Sequence, residues 1–445
     1  MQKDLTKGNA LKNIITFSLP FLLSNFLQTF YGMADLFIVG QYNDAASLSG
    51  VSVGSQVMHM LTVMIVGLAM GATVMIGRYV GEKKEKDKRM VIGNTIIIFM
   101  VVSLSLTVIL MLLINPIINI MLTPVEAIQE TKLYLTICFI GIPFITAYNV
   151  ISSIFRGLGD SKSPMYFVAV ACFFNIVLDY LFIGYFEMHA MGAALGTVLS
   201  QFISVIIALI TIIKKKIIVI KKENFHLHKP VIADIFKIGF PICIQDGLIQ
   251  ISFIIITVIA NSRGVSIAAA VGIVEKIIGF LFLVPSSMLS AISAICAQCI
   301  GTNMHKRAAK TLQYGCLIAL FFGIFFTVIC QYVSKPIISL FTDEAIVIMY
   351  GSQYLKSYVA DCIFAAVSFS FSGFFTAYGY SIISFIHNLI SIILVRVPGV
   401  YLASKIYPDN LFPMGLASPL GSLLSAVICI IVYWYLKKRK RLGTL

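Results

Sequence analysis

The chain has 445 residues, 59% of them hydrophobic and only 12% charged, with a mean hydropathy of +0.96. That balance excludes a soluble globular domain, and apolar runs of about 20 residues exclude a β-barrel, whose strands alternate over about ten. The net charge of +14 lies in short clusters between apolar runs, not along one soluble face, so it signals membrane topology and not a nucleic-acid partner.

An all-α membrane protein follows, because only helices satisfy their own backbone in hydrocarbon when no barrel is available. Six spans are predicted at 14–41, 51–78, 91–114, 131–156, 164–185 and 192–213. A basic connector follows, and six more spans are predicted at 235–260, 267–298, 309–332, 351–379, 381–404 and 414–436. Lys3, Lys7 and Lys12 precede the first run, which outlasts a signal sequence and ends without a small-residue cleavage site, so it is read as a retained helix 1. Basic residues gather at Lys83–Arg89, Arg156–Lys162, Lys214–Lys229, Lys306–Lys310 and Lys437–Arg441, all on one side of the predicted bundle. The alternate loops hold only Lys132, Arg263, Lys335, Lys356 and Lys405, so both termini are expected in the cytoplasm, with the chain in a bacterial inner membrane.

The two sets of six helices repeat at a step of about 220 residues. Phe17-Ser-Leu-Pro20 opens helix 1 as Ile238-Gly-Phe-Pro241 opens helix 7, and the helix 2 exit Arg78–Gly81 matches Gln298–Gly301. Phe155–Gly159 matches Phe375–Gly379, and Met191-Gly192 matches Met414-Gly415. Six helices between equivalent points give both halves one membrane orientation, so the repeat is parallel, an architecture of transporters with the substrate path between halves. The expected division is an N-terminal lobe over 1–213, a cytoplasmic linker over 214–234 and a C-terminal lobe with a basic tail over 235–445. Pro20 and Pro241 occupy equivalent places where a missing backbone donor permits bending, which makes them gating candidates.

Ionisable residues inside spans are costly and are functional candidates by default. They are Asp35, Asp179, Asp246, Glu275, Lys276, Asp361 and Arg396. Counted from the outer helix ends, Asp35, Asp179 and Thr197 all sit roughly 8–10 Å below the outer boundary, and Asn175 lies one turn from Asp179 on the same face. Two close carboxylates can hold a proton, or with the amide and hydroxyl can replace the hydration shell of Na⁺. The competing reading makes each aspartate a hydrogen-bonded lock between helices. Gln28, Tyr31, Asp246, Gln250 and Lys276 are candidates for a substrate cavity, and Asp361 and Arg396 are read as a structural pair. Nine cysteines, mostly within apolar runs, imply no disulfide framework; Cys296 and Cys299 form a lone CxxC that reads as two small hydrophobes at a helix end. No Walker loop, HExxH or nucleophile elbow is present, so neither an ATP-driven pump nor an enzyme is indicated.

These residues together resemble the bacterial multidrug and toxic compound extrusion (MATE) transporters over essentially the whole chain. The resemblance rests on the FSLP entry to helix 1, the Gln28–Gly40 stretch with Asp35, the Arg78–Gly81 exit, Arg156-Gly-Leu-Gly-Asp-Ser-Lys-Ser-Pro164, Asn175-Ile-Val-Leu-Asp179 and Met191-Gly-Ala-Ala-Leu-Gly-Thr197. It implies an efflux antiporter that exchanges small, often cationic, organic molecules for H⁺ or Na⁺ by alternating access. It also implies a cation site at Asp35, Asn175, Asp179 and Thr197, with no other cofactor. The C-lobe acids of another branch of the family have no counterpart at Ile249-Gln250 and Tyr380, so no C-lobe cation site is expected. A flippase for a lipid-linked saccharide shares the layout but calls for a strongly cationic cavity, and Lys276 and Arg396 are the only basic residues deep in the spans. The expected partners are small organic substrates and membrane lipid, and two packed lobes are expected to work as a monomer.

Overall fold

The computed structural model describes residues 4–215 and 222–443; Lys3, Lys216 and Lys221 of the basic clusters lie outside the described residues. Among the described residues there is no strand, and eleven helices are long and apolar enough to cross a bilayer. They are α1 (Ala10–Tyr42), α2 (Ala45–Gly81), α3 (Glu85–Leu112), α4 (Val125–Gly157), α5 (Lys162–Tyr185), α6 (His189–Lys214), α7 (Lys229–Asn261), α8 (Val265–Gly301), α9 (His305–Ser339), α11 (Ser381–Ile406) and α12 (Phe412–Lys438). A pair bent by 40°, Ala345–Tyr358 and Asp361–Ala377, supplies α10 as the twelfth span.

The helices overrun the apolar runs that announced them, because polar residues at their ends continue or cap the backbone ladder. Asp44 accepts the Ser47 amide at 2.9 Å and starts α2 six residues before the predicted span. α7 starts at Lys229, inside the segment read as linker. The end of that linker is held on α3, where Asn94 donates to the His226 carbonyl at 3.1 Å and accepts the His228 amide at 2.8 Å.

The repeat is visible as repeated backbone geometry. α4 ends with Gly159 at φ 85°, its amide on the Arg156 carbonyl and the Asp160 amide on that of Phe155; α10 ends with Gly379 at φ 81° and the matching bonds to Thr376 and Phe375. A left-handed glycine at this place pairs the last carbonyls of each helix. At the exits of α2 and α8, Lys83 and Asn303 share φ 57°.

Two compact units result. Leu19–Cys243 form the core of one, while Leu5–Ser18 join Ile244–Leu445 in the other. In the second unit the Leu5 amide donates to Gln298, Arg307 caps the carbonyls of Leu5, Lys7 and Gly8, and Ile14 approaches Gly315. In the first unit Gly239 of α7 meets the backbone of α2 at Leu68. The first unit's core gathers Ile38, Val51, Leu135, Phe139, Ile142 and Ala194, and the second unit's gathers Ile256, Val271, Val274, Tyr354, Val400 and Met414.

Candidate functional site

In the first unit, α1, α5 and α6 bring together the four residues that depth and spacing had grouped. Asp35, Asn175 and Asp179 are buried, the last two completely, and Thr197 is half-buried. Thr197 Oγ1 donates to Asp35 Oδ2 at 3.2 Å, and Asp179 and Asn175 face the same carboxyl from α5. Asp179 closes the regular part of α5; from Tyr180 to Tyr185 the helix widens into a π-turn, a distortion that re-aims side chains and recurs at functional sites. Opposite it, Gly196 of α6 has no Cβ, and a methyl there would overlap Asp179 Oδ1. The carboxyl thus reaches the cluster through the gap a glycine leaves.

The Asn175 amide and the Asp179 carboxyl stand within hydrogen-bonding reach of the Asp35 carboxyl, and outside the cluster their buried polar atoms and Asp35 Oδ1 have no hydrogen-bond partner among the described residues. An unpaired buried polar group costs about 1–3 kcal/mol, and a charged one more. Two buried acids, an amide and a hydroxyl from three helices thus face one another. Oxygen-rich and acidic, the set has the donor chemistry of a hard cation or a shared proton.

Below the acids the polar residues continue through the unit. Gln201 donates to the Tyr31 hydroxyl at 3.3 Å, Gln28 and Ser152 flank the Tyr148 hydroxyl, and Arg156 donates to Ser153 at 2.8 Å while its guanidinium stacks 5.2 Å from the Phe21 ring centre. Gln28 and Tyr31, read as cavity residues, therefore turn toward α4 and α6 of their own unit. Asp246 and Gln250 are half-buried and Lys276 is exposed, and none of the three joins a cluster described here. Glu275 turns instead to Thr257, from which its Oε2 accepts a bond at 3.1 Å. Cys296 and Cys299 are buried and in no disulfide with a described residue.

Tyr134 and Gln201 escaped the sequence reading. Tyr134 stands near both aspartates, and Gln201 follows Thr197 by one helical turn, a same-face spacing that could have flagged it.

Two repeated sets of membrane-spanning helices that bury polar residues are the architecture of a multi-pass membrane transporter. The MatE family model matches residues 20–181 and again 241–402, and the chain belongs to that family, the multidrug and toxic compound extrusion transporters. It is 29% identical over 432 residues to the probable multidrug resistance protein YpnP of Bacillus subtilis, covering 97% of this chain and 96% of that one. To the probable multidrug resistance protein NorM of Thermotoga maritima it is 26% identical, covering 89% and 86%. A crystal structure of a MATE protein in complex with MaL6 shares the fold with a TM-score of 0.91 at 19% identity, covering 99% of both chains.

Proposed function

We propose that this chain is an antiporter of the cytoplasmic membrane, both termini inside, that exports small cationic or amphipathic organic molecules in exchange for H⁺ or Na⁺. The observation that carries the reading is the convergence of two buried acids, Asp35 and Asp179, with the Asn175 amide and the Thr197 hydroxyl from three helices. Asp35, Asn175, Asp179 and Thr197 would hold the ion. Each charge moved down the membrane potential supplies about 2.3 kcal/mol per 100 mV. The multidrug names of the relatives support the substrate class, and the soft lining available from 33 Phe, 19 Tyr and 18 Met suits varied organic cations.

Alternating access needs helices that bend. Pro20 and Pro241 lie inside α1 and α7, each two residues from the point where the chain passes between its compact units. A break in the backbone ladder there is a natural hinge. The transporter is expected to work as a monomer in lipid.

Ethidium efflux from vesicles under an imposed proton gradient, and separately under a sodium gradient, tests the reading. Efflux driven by one gradient names the ion; a chain that exports under neither gradient is not an ion-coupled exporter. Gly196→Ala gives a finer test of the site. The added methyl displaces the Asp179 carboxyl, and an overpacking cost of about 1–3 kcal/mol corresponds to roughly 5- to 150-fold weaker ion affinity. The ion concentration at half-maximal efflux should rise accordingly.

A further inference from the structure

The second unit holds a buried charged cluster that the coupling site does not use. Arg396 ends a π-helical turn of α11, Ile392–Arg396, and is 8% exposed. Its Nη2 donates to the Tyr358 hydroxyl at 2.6 Å. The guanidinium lies 4.7 Å from the centre of the Phe253 ring and 6.0 Å from that of Tyr358. Two carboxylates from other helices share its field: Asp361, fully buried where α10 bends, and Glu275 of α8. Ser422 of α12 stands within hydrogen-bonding reach of the Asp361 carboxyl, and Glu275 Oε1 has no hydrogen-bond partner among the described residues. Carboxylates, hydroxyls and aromatic faces around one point are the surroundings of a bound cation, and here the chain supplies the cation itself.

The internal repeat shows what that guanidinium replaces. The repeat step runs from 220 residues at Gly159 and Gly379 to 223 at Met191 and Met414, so the turn of α11 that carries Arg396 is the counterpart of the turn of α5 that carries Asn175, and the counterparts of Asp35 (255–256) and Asp179 (399–402) hold no acid. The first unit therefore places a neutral amide beside two acids. The second unit places a guanidinium on the corresponding helical turn, has no acid where the first unit has its two, and brings its carboxylates from α8 and α10.

We propose that Arg396 is a tethered cation that fills the second unit's site, so that no coupling ion enters there and all ion coupling passes through the first unit. The statement about the first unit rests on the function proposed above; the statement about Arg396 does not. Removing the guanidinium while keeping Asp361 and Glu275 leaves two buried carboxylates with the Thr257, Tyr358 and Ser422 hydroxyls, a ligand set for a hard monovalent cation. Arg396 is thus the residue that sets how many ions the protein binds.

Retention of ²²Na⁺ by the purified full-length protein in detergent tests this. An Asp35→Asn/Asp179→Asn background, with the first unit's acids neutralised, should retain no Na⁺. Adding Arg396→Gln should create binding of about one Na⁺ per chain, Arg396→Lys should not, and Asp361→Asn added to the Arg396→Gln protein should abolish it. A folded Arg396→Gln protein that retains no Na⁺ overturns the proposal, as does Na⁺ binding in the background that disappears with Asp361→Asn while Arg396 is intact. Should Arg396→Gln fail to fold, Asp361→Asn alone keeps the test open, because with Arg396 in place it must leave wild-type Na⁺ retention unchanged, and a fall refutes the idea. Undiminished efflux by the Asp35→Asn/Asp179→Asn protein would overturn the coupling site of the first unit and leave the Arg396 comparison standing.

Discussion

Asparagine at Asp35 or at Asp179 is expected to abolish ion-driven efflux while the protein folds and reaches the membrane as the wild type does. The substitution keeps the shape of the side chain and removes a charge buried beside its like. Losing one coupled charge at 100 mV forfeits about 2.3 kcal/mol, or roughly a 40-fold drug gradient. The thermal midpoint in detergent should hold or rise, because neutralising one of two facing buried acids relieves desolvation and repulsion. A lock between helices predicts the reverse signs, with efflux retained and stability lowered. Efflux at normal abundance together with a lowered midpoint in both variants would therefore assign these aspartates to the scaffold.

The largest effect on stability is expected where α2 crosses α7. A Cβ on Gly71 would overlap the Ile235 carbonyl, and one on Gly239 would overlap the Leu68 carbonyl. Both obstacles are backbone, so neither can swing aside. Small residues at such crossings let helices approach closely in a medium that offers no hydrophobic drive for their association. Gly71→Val and Gly239→Val should each destabilise by about 1–3 kcal/mol or more, seen as a lower thermal midpoint and reduced membrane abundance. The two lie in one contact, so their costs should not add. Gly272→Ala is the control: nothing stands within 4 Å of its Cβ, and removing a mid-helix glycine should leave stability unchanged or raise it by about 0.5–1 kcal/mol. Equal losses at Gly71 and Gly272 would show that the crossing is not the cause.

Much of the buried polar cluster of the first unit was legible in the sequence, for a simple reason. A membrane-spanning helix has a fixed rise and a fixed period, so residue counting yields depth and face. Asp35, Asp179 and Thr197 could be placed at one level and Asn175 on the face of Asp179. Counting could not show which helices are neighbours. That Gln28 faces α4 and Tyr31 faces α6 could not be counted out; Tyr134 went unnoticed because nothing in the spacing of α4 announces proximity to α1 and α5.

The sequence by itself determined the solvent, the helix count, the parallel repeat and the positions that must carry charge in an apolar medium. These follow from local chemistry: hydropathy, helical period, proline and glycine, and the cost of an ion in hydrocarbon. Tertiary structure alone decided that the compact units divide within α1 and α7, that Gly196 opens the gap for Asp179, and that Arg396 stands among Asp361, Glu275, Phe253 and Tyr358. Each of those depends on which side chains from distant parts of the chain interlock, and close packing fixes that jointly for all the helices and for none of them singly.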